Sequence, residues 1–463
     1  MSLEFPGPGG RLDSMRSLTI LESRSMRKVR GLLCLLFPIL LLALGEGCHH
    51  GSNPNAPGTP PSITLQPVDT STVSGRQVSF TITANGAPTL AYQWSKDGVP
   101  IFGSQVQGAT FTLYNPQPTD SGHYSVTVTN DFGTANSSKA VLKVAQAPEF
   151  TAAVGIVADA AGNLFVSDRD DHVIWKVSPT NQVTLLAGLK GFAGSADGQG
   201  STAQFRNPGC LAFDPVGNLV VADTGNHTIR RVAPDGTVTT LAGSPGIPGT
   251  TDGLGSSARF NAPYGVAVSA TGTAYISDSQ NHTIRLLATD GTVSTYAGTP
   301  GVSGQGNGSL SSAQFDQPNG LALATDGTLF VSDYGNSCIR VISPSALVST
   351  LAGKAGTVGY TDATGTAALF NQPVGIALDA SGNLWVTDTH NHAIRRITPA
   401  GVVNAMAGSG LVGNVDGTGA LAQFNLPCGI TAIASGNLVV ADTYNHILRN
   451  VTPTGVVTAL TVP

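Results

Sequence analysis

Asp223-Thr-Gly-Asn-His-Thr-Ile-Arg230 decides how this chain folds, because the chain repeats it. Asp278-Ser-Gln-Asn-His-Thr-Ile-Arg285 and Asp388-Thr-His-Asn-His-Ala-Ile-Arg395 are near copies, and Asp168, Asp333 and Asp442 head looser ones. The leading aspartates are 55 residues apart four times and then 54. So regular a period describes an array of like units, none of which buries its apolar face alone.

The fifth copy shows the unit. Pro373–Asp379 reads as a strand, Ala380–Asn383 as a turn, and Leu384–Asp388 as a second strand. After a Thr389–His392 loop, Ala393–Ile397 is a third strand and Val402–Ala407 a fourth. These are near-continuous apolar runs, the pattern of strands covered on both faces. Six units of four short antiparallel strands, closed so that edges are hidden, predict an all-β six-bladed β-propeller over 150–463. Between units runs a second motif, Asp-Gly-x-Gly-x-x-Ala-x-Phe, at 197–205, 252–260 and 416–424, with variants at 307–315 and 362–370. Its Phe is expected to anchor the connector by burying its ring, and its Asp to brace the loop by accepting backbone N–H bonds. One Asp per connector falls short of the six or more oxygens that calcium takes. Strand direction alternates within a blade. The Asp-x-x-Asn-His loops and the long connectors therefore share one face, where function is expected.

The units resemble the NHL repeat, whose blades read Pro-x-Gly-Ile-Ala-Val-Asp and then Gly-Asn-Leu-Tyr-Val-Ala-Asp-x-x-Asn-x-x-Ile. Departures are Ala153 for the Pro, Trp175 for the Arg, Cys210 for the Gly and Ser337 for the His. The last unit ends on its own fourth strand, so the ring is expected to close by packing, without an exchanged strand. The resemblance implies an interaction platform.

Residues 61–145 lack the repeat. Trp94 within Ala-Tyr-Gln-Trp-Ser-Lys-Asp-Gly, and Asp120-Ser-Gly-His-Tyr124, resemble the core tryptophan and tyrosine corner of an immunoglobulin-like β-sandwich, with Ile82 and Val126 at the two cysteine positions. Upstream, Met26-Arg-Lys-Val-Arg followed by an apolar run to Leu44 reads as a signal peptide. Residues 1–48 thus form an upstream extension and signal, with Met26 the natural start. Gly47-Cys48 resembles a lipoprotein lipidation site, and 49–60 is a polar Pro/Gly tether. The expected location is extracytoplasmic, lipid-anchored to the cell envelope or secreted, with no membrane contact beyond that N-terminal lipid.

Beyond residue 48 there are 17 Lys and Arg against 24 Asp and Glu, with no basic run, which argues against nucleic acid. Cys210, Cys338 and Cys428 have no metal-type spacing and read as small buried residues. His172, His227, His282, His392 and His446 share one position in five units. If they met on the axis they would suit zinc; as repeated residues they suit closure of each unit's own loop. The expected function is non-catalytic binding of a protein or cell-surface glycan on the connector face. Those five histidines with Tyr264, Asn307 and Ser337 are the candidate contacts, and Asp168, Asp223, Asp278, Asp333, Asp388 and Asp442 are structural. No cofactor is expected. The alternative is a metal-dependent, lyase-like enzyme with zinc or calcium at the channel; such relatives use a Tyr and an Arg that break the symmetry, whereas Tyr264, Tyr334 and Tyr444 look scattered here.

Overall fold

The computed structural model describes residues 58–460 apart from 75–76, 104–105, 115 and 146–149. The signal peptide, Cys48 and most of the tether lie outside the described residues. Among those described, no helix is long and apolar enough to cross a membrane.

Strands between Ser62 and Ala145 build a sandwich. The alternating stretch 78–85 divides at Ile82: Val78–Thr81 pairs with Thr110–Leu113, and Thr83–Asn85 pairs with Ser62–Leu65. Trp94 is fully buried, and its indole N–H donates to the Gly108 carbonyl at 3.1 Å. Phe80 and Phe111 stack on Tyr124 at 5.0 and 5.6 Å, and the Tyr124 hydroxyl donates to the Asp120 carbonyl at 2.7 Å. Ile82 and Val126 are both buried in this core. An apolar pair thus fills by packing the space that a disulfide would span.

From Ala153 on, six antiparallel sheets follow one another, one per repeat. The inner strands are Ala153–Ala158, Leu211–Phe213, Pro263–Val268, Pro318–Leu323, Ile376–Leu378 and Pro427–Ala432. In the fifth unit the inner strand is shorter than expected. Val374 and Gly375 still exchange backbone hydrogen bonds with Thr387, but regular pairing starts only at Ile376.

The glycine of Pro-x-Gly is dictated by the neighbouring blade. A Cβ at Gly265 would lie 2.0 Å from the Asn319 carbonyl oxygen, and one at Gly375 2.1 Å from that of Cys428. Inner strands therefore approach backbone to backbone around the axis. They leave a cavity of about 50 Å³, walled by Gly155, Cys210, Gly320, Gly375 and Gly429. That is room for a few waters, not a ligand.

The connectors do more than join blades. Gly198–Gln199 adds a short fifth strand to the outer edge of the blade that follows it, pairing with Thr237 and Val238. Gly253–Leu254, Gly308–Ser309 and Gly417–Thr418 do the same, and Thr364 makes the equivalent bridge to Val402. The ring closes without an exchanged strand. Phe150, Val166 and Trp175 of the first blade pack on Val439, Ala441 and Leu448 of the sixth, and the Thr443 hydroxyl donates to the Ala153 carbonyl at 2.7 Å.

Candidate functional site

Each repeated aspartate ends the second strand of its blade, fully buried. Asp278 accepts from Arg285 at 2.8 Å, from the Asn281 amide at 2.8 Å and from the Asn261 backbone N–H at 2.7 Å. The other guanidinium nitrogen of Arg285 donates to Asp252 of the connector at 2.6 Å, while Asn281 also donates to the Gly249 carbonyl. The Phe260 ring lies 5.2 Å from the guanidinium carbon. Arg230, Arg340, Arg395 and Arg449 make the same set with Asp223, Asp333, Asp388 and Asp442. Asn307 takes the place of the connector Asp, accepting from Arg340 at 2.8 Å. The connector carboxylate thus reaches farther than a backbone brace: it caps a buried cation and also accepts from an outer-strand N–H, as Asp252 does from Thr295. Burial pushes Asp223, Asp278, Asp333 and Asp388 up to about 6, against the downward pull of their arginines.

The histidines do not close their own loops; asparagine does that. Each histidine sits at positive φ, near 58° at His227, and His172, His227, His282 and His392 turn the ring outwards to the next blade. Their Nδ1 atoms accept the backbone N–H of Asn207, Ala262, Gln317 and Leu426 at 3.0–3.2 Å. Ser337 keeps the bond with its hydroxyl, accepting from the Gln372 N–H at 3.2 Å. At the closing seam the His446 Nδ1 instead lies 2.6 Å from the Thr151 carbonyl, so there the ring donates. These side chains are spent between blades, and so is Asn307 within its own blade. Among the described residues no group of three His, Cys, Asp or Glu is placed to hold a metal.

Because Nδ1 accepts, this bond requires the neutral ring. Burial lowers the pKa of His227, His282 and His392 below 6.5. A depressed folded value means a contribution present above 6.5 and lost as pH falls through the folded value. We expect wild type to lose stability on acidification from pH 6.5 relative to a His227→Ser/His282→Ser/His392→Ser variant, whose hydroxyls accept at every pH as Ser337 does. Urea midpoints measured between pH 5 and 7.5 check this; parallel curves would refute it.

What the repeat does not consume collects at the axis. After the leading Asp, four units carry a Thr or Ser whose hydroxyl donates to the next inner strand: Thr224 to Pro263, Ser279 to Pro318, Thr389 to Pro427 and Thr443 to Ala153. The other two place Arg169 and Tyr334 there, freeing large side chains for the channel mouth. Arg169 forms an ion pair with Asp170 at 2.8 Å and bonds the Tyr444 hydroxyl. Burial, with the nearby Cys428 and Cys210, raises the Tyr264 hydroxyl well above 10, and Arg169 and Tyr334 lie close enough to act on it. Tyr334 meets His390 edge-on at 6.4 Å between ring centres. Burial lowers the His390 pKa, favouring the neutral ring. Its Nε2 and the Gln280 Nε2 are buried without a hydrogen-bond partner among the described residues.

Tyr264, Tyr334 and Tyr444, scattered in sequence, are thus gathered. His390, Arg169 and Gln280 were not singled out from sequence, although Arg169 and Tyr334 stand where the other units have a hydroxyl. Burial pushes the Cys210 thiol up to about 12 and raises that of Cys428, so neither is a ready nucleophile.

The same face carries an outer ring. Phe192, Ile247, Val302 and Leu411 occupy one position in four connector turns, each 42–65% exposed, and Val358 stands exposed beside that position in another. The turns are held against the inner loops, Gly191 N–H to the Asp171 carbonyl and Gly246 N–H to that of Asn226.

Comparisons with known proteins agree with this architecture. The NHL repeat model matches residues 205–232, 315–342 and 370–397, and the immunoglobulin domain model matches 60–130. Protein SUPPRESSOR OF QUENCHING 1, chloroplastic, from Arabidopsis thaliana is 29% identical over 303 residues, covering 62% of this chain and 29% of that protein. NHL repeat-containing protein 2 from Homo sapiens is 29% identical over 324 residues, 62% of this chain and 44% of that one. The chain therefore spans less than half the length of these relatives. Two Bacteroides thetaiotaomicron structures share the fold: a structural genomics protein of unknown function (18% identity, TM-score 0.51, 86% of this chain and 98% of that) and an auxiliary nutrient binding protein (12%, 0.51, 88% and 99%). The chain is a six-bladed β-propeller protein that carries NHL repeats, three of them matched by the family model, with an immunoglobulin-like domain before the propeller.

Proposed function

We propose that the propeller is a non-catalytic binding scaffold whose connector face holds a macromolecular partner, a protein at the cell surface. One observation carries this reading. An apolar side chain recurs, largely exposed, at the same turn of four connectors. Single exposed apolar residues need no explanation, but a recurring ring on one face marks an interaction surface. It encircles the polar mouth of Arg169, Tyr334, His390 and Tyr444, an apolar-and-polar arrangement suited to a folded partner. The signal-like segment and Cys48 support export and tethering at the envelope, and the acidic balance supports a partner other than nucleic acid.

The test is capture from a cell-surface extract by the immobilised full chain. A Phe192→Ser/Ile247→Ser/Val302→Ser/Leu411→Ser variant should melt with wild type, because exposed substitutions cost within about 0.5 kcal/mol each, and should lose capture. Capture unchanged in that variant overturns the assignment of the face. Capture abolished by glycosidase but not peptidase treatment of the extract makes the partner a glycan.

A further inference from the structure

Among the described residues, five blades carry a connector segment on their outer edge and the first does not. Its sheet is four-stranded and ends at Val183–Ala187, with Leu185 exposed. Counting back 55 residues from Gly198–Gln199 lands on Lys143–Val144, which lie inside the sandwich strand Ala140–Ala145. The residues that would cover this edge are committed to the immunoglobulin-like domain. Only the end of the motif survives: Phe150, equivalent to Phe205, is buried in the blade.

The rest of the brace is changed to match. Where other blades place an arginine capped by the connector Asp or Asn, the first has Trp175. It is 8% exposed, and its indole N–H has no acceptor among the described residues. Lys190 lies over its ring at 5.3 Å and pairs with Asp171 at 3.5 Å, bringing positive charge beside the indole. Asp168 lacks an arginine and is held by the backbone N–H groups of Thr151, Ala152 and Asp171. Leu185 stands where Thr240 donates its N–H to Asp197 in the second blade.

We propose that the outer edge of the first blade accepts an extended peptide from a partner protein by strand addition. The peptide is of Asp-Gly-x-Gly character, in the register that the connectors occupy elsewhere. The five internal precedents state what this edge pairs with: an acidic or amide residue, then glycine in four of them and Ala363 in the other, on the outer strand. The guest carboxylate takes the Leu185 N–H and the indole N–H of Trp175, with Lys190 supplying charge complementarity, and the main chain extends the sheet. This edge is separate from the connector-face ring, so its test is independent of that reading.

The probe is the synthetic peptide Ser-Ala-Asp-Gly-Gln-Gly-Ser, residues 195–201 of this chain, titrated into the ¹⁵N-labelled full chain. The chain has three indole N–H groups, and two are already bonded: Trp94 to Gly108 and Trp385 to Asp379 at 2.9 Å. The third, that of Trp175, should shift downfield and saturate while the other two stay still. An Asp→Ala peptide should bind at least tenfold more weakly. Trp175→Phe, which keeps the ring and removes the N–H, should weaken binding while melting near wild type. A Trp175 resonance unmoved by the peptide, or moved equally by the Asp→Ala peptide, overturns the proposal. Concentration-dependent dimerisation abolished by Trp175→Phe would assign the edge to a second copy and likewise overturn it.

Discussion

Replacing Asp278 with alanine should cost about 3–5 kcal/mol, the range for breaking a buried ion pair from one side. Such a loss is large because the carboxylate is a hub. With it go bonds to Arg285, Asn281 and the Asn261 N–H, and a fully buried guanidinium keeps Asp252 as its remaining carboxylate partner. An Asp278→Leu/Arg285→Met double variant should not recover the loss. Apolar replacements leave the Arg259 carbonyl and the Asn261 N–H unpaired, whereas a simple two-member pair would be replaced almost neutrally. Urea denaturation of both variants decides the point: recovery to within 1 kcal/mol of wild type, on the order of a single hydrogen bond, would show that the pair stands alone.

The second large effect belongs to the closing seam. Phe150→Ala should cost about 3–5 kcal/mol, as for other buried aromatic truncations. Phe150 packs in the cluster joining the first blade to the sixth, where no exchanged strand holds the ring shut. Beyond that cluster the seam has side-chain bonds such as Thr443 to Ala153 and His446 to Thr151. Opening should therefore start there. Hydrogen exchange should show the amides of Ala153–Ala158 and Leu438–Asp442 losing protection before those of Ala274–Asp278. Uniform loss across all blades would refute a seam-first opening.

Much of this was legible locally. The period, four strands per unit and the structural Asp each depend on contacts within one repeat, so the repeat itself displays them; the connector Phe was legible as a recurring buried ring, although it packs between consecutive blades. The role of histidine was not legible, because its acceptor Nδ1 meets an N–H some 35 residues on, in another blade. Nor was the reach of the connector Asp, whose arginine lies 33 residues away. Arg169 and Tyr334 show in sequence only as departures from a Thr/Ser position; that both departures open onto one mouth follows from closing the ring.

The sequence by itself determined the unit, its number and the face that bears its loops. These follow from periodicity and strand direction, which need no knowledge of distance. The tertiary structure decided which side chains are spent on bracing and which remain: the channel-mouth group of Arg169, Tyr264, Tyr334, His390 and Tyr444, the exposed connector ring and the uncovered edge of the first blade. A repeat specifies neighbours along the chain. Only closure into a ring, with inner strands packed too tightly for a Cβ at Gly265 and Gly375, brings residues of different blades together across the axis.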